Sequence, residues 1–228
     1  LSGAEPLIGV NAGEGSAAEA VAWIAYCNAP AASREGRLRA QDGHPVPYGV
    51  KHWEIGNELY GKWQRGNCSK EEYVVRFRAF YEAINAVSEN RGLHLIANGG
   101  PHNDPSWNEE LLKTDNDILG SLSRHWLNGA NYPPLFSPAQ SFDRIMADAW
   151  IFERELSELK KTMQSAGVRE PHLSITELMV YLGEDVPKEI SAIYPMAHYF
   201  SEVLFFSGVL HSAIRSDGFV DLITKSGA

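Results

Sequence analysis

Two glutamates each end a short apolar segment, and paired carboxylates are the groups that cleave glycosidic bonds. Glu58 ends the run WEIGNE (53–58), and Glu177 ends the run SITE (174–177). In retaining glycosidases one carboxylic acid protonates the leaving oxygen, while a carboxylate about 5–5.5 Å away attacks the anomeric carbon. The pair predicts glycoside hydrolysis, with Glu58 as general acid/base and Glu177 as nucleophile. The alternative is that both are solvated loop glutamates.

The two polar neighbours of Glu58 have different predicted roles. Asn57 lies directly beside Glu58, and its amide can donate a hydrogen bond to a sugar hydroxyl. Glu54 lies inside the apolar strand instead. Because a buried carboxylate needs a compensating charge or hydrogen bonds, we expect Glu54 to be structural and paired to an arginine or lysine.

The elements that must position these residues repeat as strand, turn and helix. Six short apolar runs predict strands, at 6–11, 50–55, 93–98, 118–125, 172–176 and 219–223. Helical patterns lie at 16–28, 69–90, 138–166 and 194–214, and a Pro/Gly/Arg-rich stretch at 30–48 predicts a long surface loop. Ser16 and Ser69 are the predicted N-caps, and Glu19 completes a capping box with Ser16.

Alternating strands and helices predict a parallel sheet with right-handed crossovers. Polar residues stand where the predicted strands end: Asn11, Asn57-Glu58, Asn98, His125 and Glu177. Barrel enzymes place their sites at that end of the strands. We therefore predict an α/β fold, a (β/α)8 TIM barrel. A complete barrel has eight strands, so we expect an incomplete one, with 1–228 as a single partial catalytic domain.

Four stretches of the sequence, taken together, carry a family resemblance. They are VKHWEIGNE (50–58), VNAGEGS (10–16) followed by EAVAWIAYCN (19–28), LSRHW (122–126) and FVDLITKS (219–226). They resemble the acid/base segment, the strand-3 turn and helix, the strand-6 segment and the approach through strand 8 of the family 51 α-L-arabinofuranosidases. These are barrel glycosidases of a large retaining clan. The resemblance implies that about strands 3 to 8 of the barrel are present.

The resemblance also implies roles for individual residues. Glu58 would be the acid/base, Glu177 the nucleophile, and Asn57 the hydrogen-bond donor to the sugar 2-hydroxyl. His125 corresponds to an active-site histidine that would support the site near the nucleophile. Asn11 and Trp126 are weaker candidates for substrate contact, and for both of them, as for His125, the alternative is a structural role.

The sequence departs from the family pattern at several positions. Leu178 follows the predicted nucleophile, where the family commonly has an aromatic residue, and Trp126-Leu127 stand where a tyrosine is usual. Strands 1 and 2 and the C-terminal β-sandwich have no counterpart. These departures concern the sugar pocket rather than the two carboxylates.

A competing motif, GEGSAA (13–18), fits the dinucleotide fingerprint G-x-G-x-x-A between a strand and a helix. That fingerprint requires an acidic residue about 20 positions later, at the end of the next strand. Glu35 has the spacing but lies in the polar stretch, and Glu14 inside the turn would repel a pyrophosphate. We favour a plain strand–turn–helix connection.

Metal and cofactor motifs are absent from the sequence. The eight histidines show neither H-E-x-x-H nor paired-cysteine spacing, so no metal site is predicted. Acid/base hydrolysis needs no cofactor, and we expect none. Cys27 fits a helical core position and Cys68 a polar loop, so the two cysteines make no disulfide framework.

The net charge of −9 disfavours nucleic acid and membrane surfaces as partners, because both generally require basic patches. No apolar run approaches the roughly 20 residues of a transmembrane helix. We expect a soluble protein, cytoplasmic or secreted, whose partner is an arabinose-containing oligosaccharide or polysaccharide. The sequence leaves homo-oligomer formation open.

The predicted function is removal of non-reducing terminal α-L-arabinofuranosyl residues from plant polysaccharides or oligosaccharides, by double displacement. One alternative is another retaining glycosidase of the same clan, a β-xylosidase or endoglucanase. The other is a catalytically silent, carbohydrate-binding fragment, since a barrel lacking two strands leaves open edges.

Overall fold

A computed structural model of the chain describes residues 3–101, 104–128, 138–180 and 200–225. In these residues six strands alternate with helices, which is the α/β pattern of a (β/α)8 barrel with six of its eight strands, as predicted. The chain divides into two compact units, Leu1–Ser123 and Arg124–Ala228. The division falls between Ser123 and Arg124, inside the strand Ser121–Asn128. That residues 1–228 form a single partial domain therefore stays a prediction.

Unit 1 contains four neighbouring strands in chain order. Its elements are β1 Leu7–Val10, α1 Ala17–Asn28, α2 Arg34–Gln41, β2 His52–Ile55, α3 Lys70–Ala86, a 3₁₀ turn Ser88–Asn90, β3 His94–Ala97, α4 Ser106–Thr114 and the start of β4 Ser121–Asn128. The first three strands pair in parallel and in register, and β3 pairs in parallel with the first residues of β4. Parallel pairing brings the carboxyl ends of these strands to one edge of the sheet.

The helices α1 and α3 begin where their sequences predict. Ser16 accepts a hydrogen bond from the backbone of Glu19, whose carboxylate accepts one from the Ser16 backbone, and Ser69 and Glu72 repeat the arrangement. These bonds satisfy the free amides of the first helical turn. The two bonds from Ser16 also hold the pKa of Glu19 below its usual value. Both predicted N-caps are thereby confirmed.

The stretch 30–48 is not one long loop, as predicted, because it contains α2. The guanidinium of Arg39 is fully buried and donates to the backbone carbonyls of Tyr26, Ala29, His44 and Pro45, at 2.6–3.2 Å. A single arginine thus ties α2 to the end of α1 and to the following turn. The helix sequence REGRLRAQ has no apolar face, so periodicity gives no sign of it.

The fourth strand, predicted at 118–125, spans Ser121–Asn128. The backbone amides of Ile118 and Leu119 bond to the carbonyl of Asp115 and form a turn that ends α4, a helix that the sequence patterns do not predict. Arg78 donates to the buried carboxylate of Asp115 at 2.8 Å. Burial raises the pKa of Asp115, while Arg78 opposes that rise. The turn delays the start of β4 by three residues.

Unit 2 contains the rest of β4, α5 Pro138–Ser165, β5 His172–Val180, α6 Phe200–Arg215 and β6 Val220–Lys225. The predicted helix at 138–166 is confirmed. The predicted final helix at 194–214 is present from Phe200, and its predicted start at 194–199 lies outside the described residues. β5 and β6 pair in parallel, and α5 packs against α6, where Arg215 of α6 forms an ion pair with Glu153 of α5.

Two properties of individual residues agree with the sequence prediction. Cys27 is buried on α1, and both cysteines are free. Glu54 is only 4% exposed within β2, as expected for a structural carboxylate. Its pairing with a basic residue stays a prediction. Among the described residues, no helix is both long and apolar enough to cross a membrane.

Candidate active site

Glu58 lies on a tight turn that follows β2. Gly56 and Glu58 both have positive φ, 91° and 48°. A Cβ on Gly56 would lie 2.6 Å from the Leu59 side chain, so only glycine fits there. A glutamate in the left-handed region is uncommon, and such strained residues cluster at functional sites. The backbone at this turn is therefore shaped to present the Glu58 side chain.

Buried hydrogen bonds fix the turn to the next strand. The carboxamide oxygen of Asn98, directly after β3, accepts from the backbone N–H of Leu59 at 2.8 Å. The backbone N–H of Asn98 donates to the Tyr73 hydroxyl at 2.6 Å, and that hydroxyl donates to the Ile55 carbonyl at 2.7 Å. Asn98, predicted only as a polar strand end, is thus the residue that anchors the Glu58 turn.

Two aromatic side chains donate to the Glu58 carboxylate. The Trp63 indole Nε1 lies 2.6 Å from Oε2, and the Tyr60 hydroxyl lies 3.3 Å from Oε1. The Trp63 side chain is nevertheless 70% exposed. Sequence analysis missed both residues. The available signal was two aromatic residues within five positions of Glu58 in an otherwise polar loop.

The other predicted contact residues of unit 1 lie on the exposed side of the same edge. Asn57 is exposed in the turn between Gly56 and Glu58. Asn11 is also exposed, and its carboxamide oxygen accepts from the Glu14 backbone N–H at 3.0 Å, a bond that shapes the turn after β1. Substrate contact by either residue stays a prediction, although the Asn11 bond favours its structural alternative.

The dinucleotide alternative fails on the geometry of the same turn. A Cβ on Gly13 would run into the Arg65 carbonyl, and one on Gly15 into the Asn11 carbonyl. These glycines therefore serve close backbone packing. The helix N-terminus behind them is already occupied by the Ser16–Glu19 capping box. Glu35 lies on α2 rather than at a strand end.

Glu177 does not end its strand as predicted, because β5 continues to Val180 and Glu177 lies within it. The pairing with β6 is irregular there, because Ile175 pairs with Ile223 and Leu178 with Lys225. Between these two pairs β5 advances by three residues and β6 by two, so β5 contains one extra residue. Such a bulge redirects a side chain and is over-represented near active sites. The Thr224 hydroxyl bonds to the Thr176 carbonyl at this bulge.

His125 lies beside Glu177 within unit 2. It stands inside β4, not at the strand end as predicted, because β4 extends to Asn128. Its Nε2 is 3.7 Å from Oε1 of Glu177, and their side chains are 6% and 32% exposed. The structure therefore brings together the two residues for which the sequence predicted proximity. A histidine at this distance can orient the carboxylate and respond to its charge.

Trp126 alternates with His125 along β4 and packs against helix α5. Its ring meets Phe152 edge-on at 4.8 Å between centroids, and the Arg124 guanidinium lies 4.8 Å above it. Arg124 forms an ion pair with Glu155 of α5, and burial lowers its pKa from the usual arginine value. This is a packing position, which favours the structural alternative for Trp126 over substrate contact.

The two candidate carboxylates have different surroundings. Two neutral donors contact the Glu58 carboxylate in unit 1, and an imidazole stands beside Glu177 in unit 2. The arrangement around Glu58 is compatible with a general acid/base, because its two neutral partners can remain when the carboxylate gains or loses a proton. Glu177 is held on a strand, which is compatible with a nucleophile that must keep one position. Among the described residues, no cluster of three His, Cys, Asp or Glu side chains could hold a metal ion.

Comparison with known proteins gives a consistent result. Residues 2–130 match the family model described as the alpha-L-arabinofuranosidase 1 domain. Alpha-L-arabinofuranosidase C of Emericella nidulans is 36% identical over 111 residues, 49% of this chain and 21% of that protein. The intracellular exo-alpha-(1->5)-L-arabinofuranosidase of Streptomyces lividans is 30% identical over 197 residues, 83% of this chain and 29% of that protein.

Solved structures agree with this. The family 51 alpha-L-arabinofuranosidase of Thermotoga petrophila superposes with a TM-score of 0.78 at 27% identity, covering 98% of this chain and 43% of that one. The arabinose complex of the Thermotoga maritima enzyme gives 0.74 at 27% identity, covering 99% and 44%. The chain thus spans less than a third of these curated relatives and less than half of these structures. Since the family model matches more than half of the 228 residues, the chain belongs to the family 51 α-L-arabinofuranosidases.

Proposed function

We propose that this chain carries the catalytic residues of a retaining exo-glycosidase that removes non-reducing terminal α-L-arabinofuranosyl residues from plant polysaccharides or oligosaccharides. The observation that supports it most is the Glu58 turn. Its carboxylate is presented by a strained backbone and held by two neutral donors, and it stands two residues beyond the Gly56 that follows β2. Glu177, with His125 beside it, supplies the second carboxylate.

In the proposed reaction the Glu177 carboxylate attacks the anomeric carbon and forms a glycosyl ester. The bond from that carbon to the leaving oxygen breaks, and Glu58 gives its proton to this oxygen, so that an alcohol leaves. Glu58, now ionised, then takes a proton from water. The water oxygen bonds to the anomeric carbon, the ester bond to Glu177 breaks, and L-arabinose is released with Glu58 protonated again. Two inversions give net retention.

The sugar is inferred from relatives rather than from a pocket. The Streptomyces lividans relative is named for exo-cleavage of α-(1→5)-linked L-arabinofuranosyl units, and the Thermotoga maritima structure is an arabinose complex. A glucosidase from Croceicoccus marinus shares the fold with a TM-score of 0.61 at 14% identity. Fold alone therefore does not choose the sugar, and a β-xylosidase or endoglucanase activity is the rival specificity.

The test separates the roles of the two glutamates. Glu177→Ala should lose hydrolysis of aryl arabinofuranosides, and added azide should yield a glycosyl azide of inverted configuration. Glu58→Ala should still form the glycosyl-enzyme from an activated aryl substrate, and azide should then give the retained anomer. Glu14→Ala, which changes an exposed glutamate of the neighbouring turn, is the matched control and should hydrolyse normally. Full activity in either of the first two variants would refute the assignment.

A second candidate is a catalytically silent, carbohydrate-binding chain, because the chain covers less than a third of the curated relatives named above. Hydrolysis by the 228-residue chain itself distinguishes the two. If it is inert and still binds arabino-oligosaccharides, while an extended chain that includes it hydrolyses them, the silent alternative holds for this chain alone. Glu58 and Glu177 would then be tested in the extended chain.

A further inference from the structure

The two donors on Glu58 are chemically unequal. The Trp63 indole N–H is a donor only, whereas the Tyr60 hydroxyl can both donate and accept. The indole bond to Oε2 is short, 2.6 Å, and the hydroxyl contact to Oε1 is long, 3.3 Å. A protonated Oε2 would aim its hydrogen at the indole hydrogen or lose that bond. A protonated Oε1 keeps the indole bond, because the Tyr60 hydroxyl can rotate away or accept.

We propose that Trp63 and Tyr60 are positioning residues that assign the catalytic proton of Glu58 to one oxygen, Oε1. This rests on the proposed function, in which Glu58 is the general acid. Trp63 keeps Oε2 as an acceptor in both protonation states, so Oε1 alone delivers the proton to the leaving oxygen. The Tyr60 hydroxyl donates a hydrogen bond to Oε1 when Glu58 is ionised. When Glu58 is protonated, the hydroxyl rotates away or accepts a hydrogen bond from Oε1.

Aromatic packing supports the two donors. The Tyr60 ring packs edge-on against both Trp63 and Trp107, with centroids 6.2 and 5.7 Å apart. Trp107 in turn stacks on the buried Tyr73 ring at 5.0 Å and donates its indole N–H to the Asn98 carbonyl at 2.8 Å. This chain of rings runs from the core to the surface. It orders the two donors that a solvent-exposed loop would otherwise leave free to rotate.

Two arginines near the Glu58 loop have partners of their own. Arg65 of the same loop pairs with Glu14 of the β1–α1 turn at 3.8 Å. Arg76 of α3 donates to the backbone carbonyls of Ala12, Gly13 and Gly66. Lys62 is exposed between Tyr60 and Trp63. The two hydrogen bonds from Tyr60 and Trp63 to Glu58 come from neutral donors of the same loop.

The direct test is NMR of the protein labelled with ¹⁵N-tryptophan and with ¹³C at the glutamate carboxyls. Trp63→Phe identifies the Trp63 indole resonance, and Glu58→Gln identifies the Glu58 carboxyl. As pH falls through the Glu58 titration, the Trp63 N–H resonance should stay at its hydrogen-bonded, downfield position. If it moves to the position of a free indole when Glu58 gains its proton, then Oε2 carries the proton and the proposal is wrong.

A second readout uses the variants. A donor to the ionised form favours that form, so Trp63→Phe should raise the titration midpoint of Glu58 by about one pH unit, and Tyr60→Phe by less. Trp63→Phe should also slow cleavage of oligosaccharides, whose leaving group needs the proton, about tenfold more than cleavage of a 2,4-dinitrophenyl glycoside, which does not. Trp150→Phe on α5 and Tyr81→Phe on α3 are the matched controls. They should change neither the Glu58 midpoint nor the ratio of the two cleavage rates.

The outcomes separate this proposal from the proposed function. If the chain does not hydrolyse glycosides but the NMR results are as expected, the proton assignment holds and the function fails. If it hydrolyses arabinofuranosides while Trp63→Phe leaves the Glu58 midpoint unchanged, the function stands and the positioning role is refuted. A variant that loses its folded NMR spectrum is replaced by Trp63→Gln, whose side-chain amide restores a neutral donor and should bring the Glu58 midpoint back towards the wild-type value.

Discussion

The turn that carries Glu58 and the strand that carries Glu177 hold their carboxylates by opposite means. Glu58 stands on a loop with two left-handed residues, and its carboxylate accepts hydrogen bonds from two side chains of the same loop. Glu177 lies inside a nine-residue strand, at a bulge, next to the nearly buried His125. The first arrangement is local and built by side chains, and the second is long-range and built by the sheet.

The difference fits the two chemical tasks that we propose for these residues. A general acid/base must change its protonation in each half of the reaction, so neutral partners that tolerate both states suit it. A nucleophile must stay ionised and be held at one distance from the reacting carbon, because small displacements are costly in rate. The sheet supplies that fixed position. The comparison predicts that Glu177 is most sensitive to loss of His125, the side chain beside it. Glu58 is expected to be most sensitive to loss of Asn98, which anchors the backbone of its turn.

The largest effect is expected from removing the neighbour of Glu177. His125→Ala should lower kcat/KM by about 100-fold, equivalent to about 2.7 kcal/mol of transition-state stabilisation. The physical reason is that a nearly buried ring beside the carboxylate is replaced by space into which the carboxylate can rotate. The measurement is the rate of glycosyl-enzyme formation from an activated aryl arabinofuranoside, followed as a pre-steady-state burst.

The control for this variant is His172→Ala. His172 begins β5, the strand that carries Glu177, but its side chain lies by Asp221 on β6, with Nδ1 3.8 Å from the carboxylate. It should leave the burst rate unchanged. A burst rate within about threefold of wild type for His125→Ala would mean that the strand alone holds Glu177 and that the histidine does not orient the carboxylate.

The next effect is on the anchoring of the Glu58 turn. Asn98→Ala leaves the buried Leu59 N–H without its acceptor, so the free energy of unfolding should fall by about 1–3 kcal/mol. Because the turn also carries Glu58, activity should fall about tenfold. The matched variant is Asn108→Ala, which removes an equivalent 2.8 Å bond to the Gly100 N–H. Urea unfolding and steady-state kinetics on both variants are the measurements.

Asn108→Ala should destabilise the protein without a comparable loss of activity. Its bond lies further along the chain after β3 and does not touch the Glu58 turn. If both variants lose activity in proportion to the fall in their free energy of unfolding, then Asn98→Ala lowers activity only because less of the protein is folded. The turn would then need no specific anchor.

The contrast also explains which features the sequence could predict. Glu58, Ser16 and Ser69 stand in short patterns whose meaning is local: a polar residue after an apolar run, or a serine three residues before a glutamate. The Ser16–Glu19 capping box and the Ser69 N-cap were predicted correctly because their bonds are made within one turn of helix. The parallel α/β fold followed from alternation along the chain, which is equally visible in sequence.

The features that could not be predicted depend on partners distant in sequence. The helix α2 is held by the buried Arg39 contacting carbonyls of two other segments, and nothing in REGRLRAQ reveals them. The bulge at Glu177 is a property of two paired strands, so β5 alone gave the wrong end. The donors to Glu58 depend on a turn conformation that bends Trp63 back toward it, which no periodicity describes.

The smallest effect is expected at the bulge itself. Thr224→Val removes the hydroxyl that bonds to the Thr176 carbonyl while keeping the shape of the side chain. Loss of one such bond should lower the free energy of unfolding by about 1 kcal/mol. Activity should stay within about twofold, because the ladder of β5 and β6 bonds holds Glu177 without it. Thr224→Ser keeps the hydroxyl and should match the wild type in stability.

This variant tests the comparison most directly, because it removes a side-chain hydrogen bond beside Glu177 just as Asn98→Ala removes the one that anchors the Glu58 turn. If the sheet holds Glu177 collectively, the ratio of activity loss to stability loss must be much smaller for Thr224→Val than for Asn98→Ala. Equal ratios would mean that the bulge, like the turn, depends on a single side-chain bond. The strand that carries Glu177 would then be no more rigid a support than the turn that carries Glu58. The idea that a rigid support suits the proposed nucleophile would have to be abandoned.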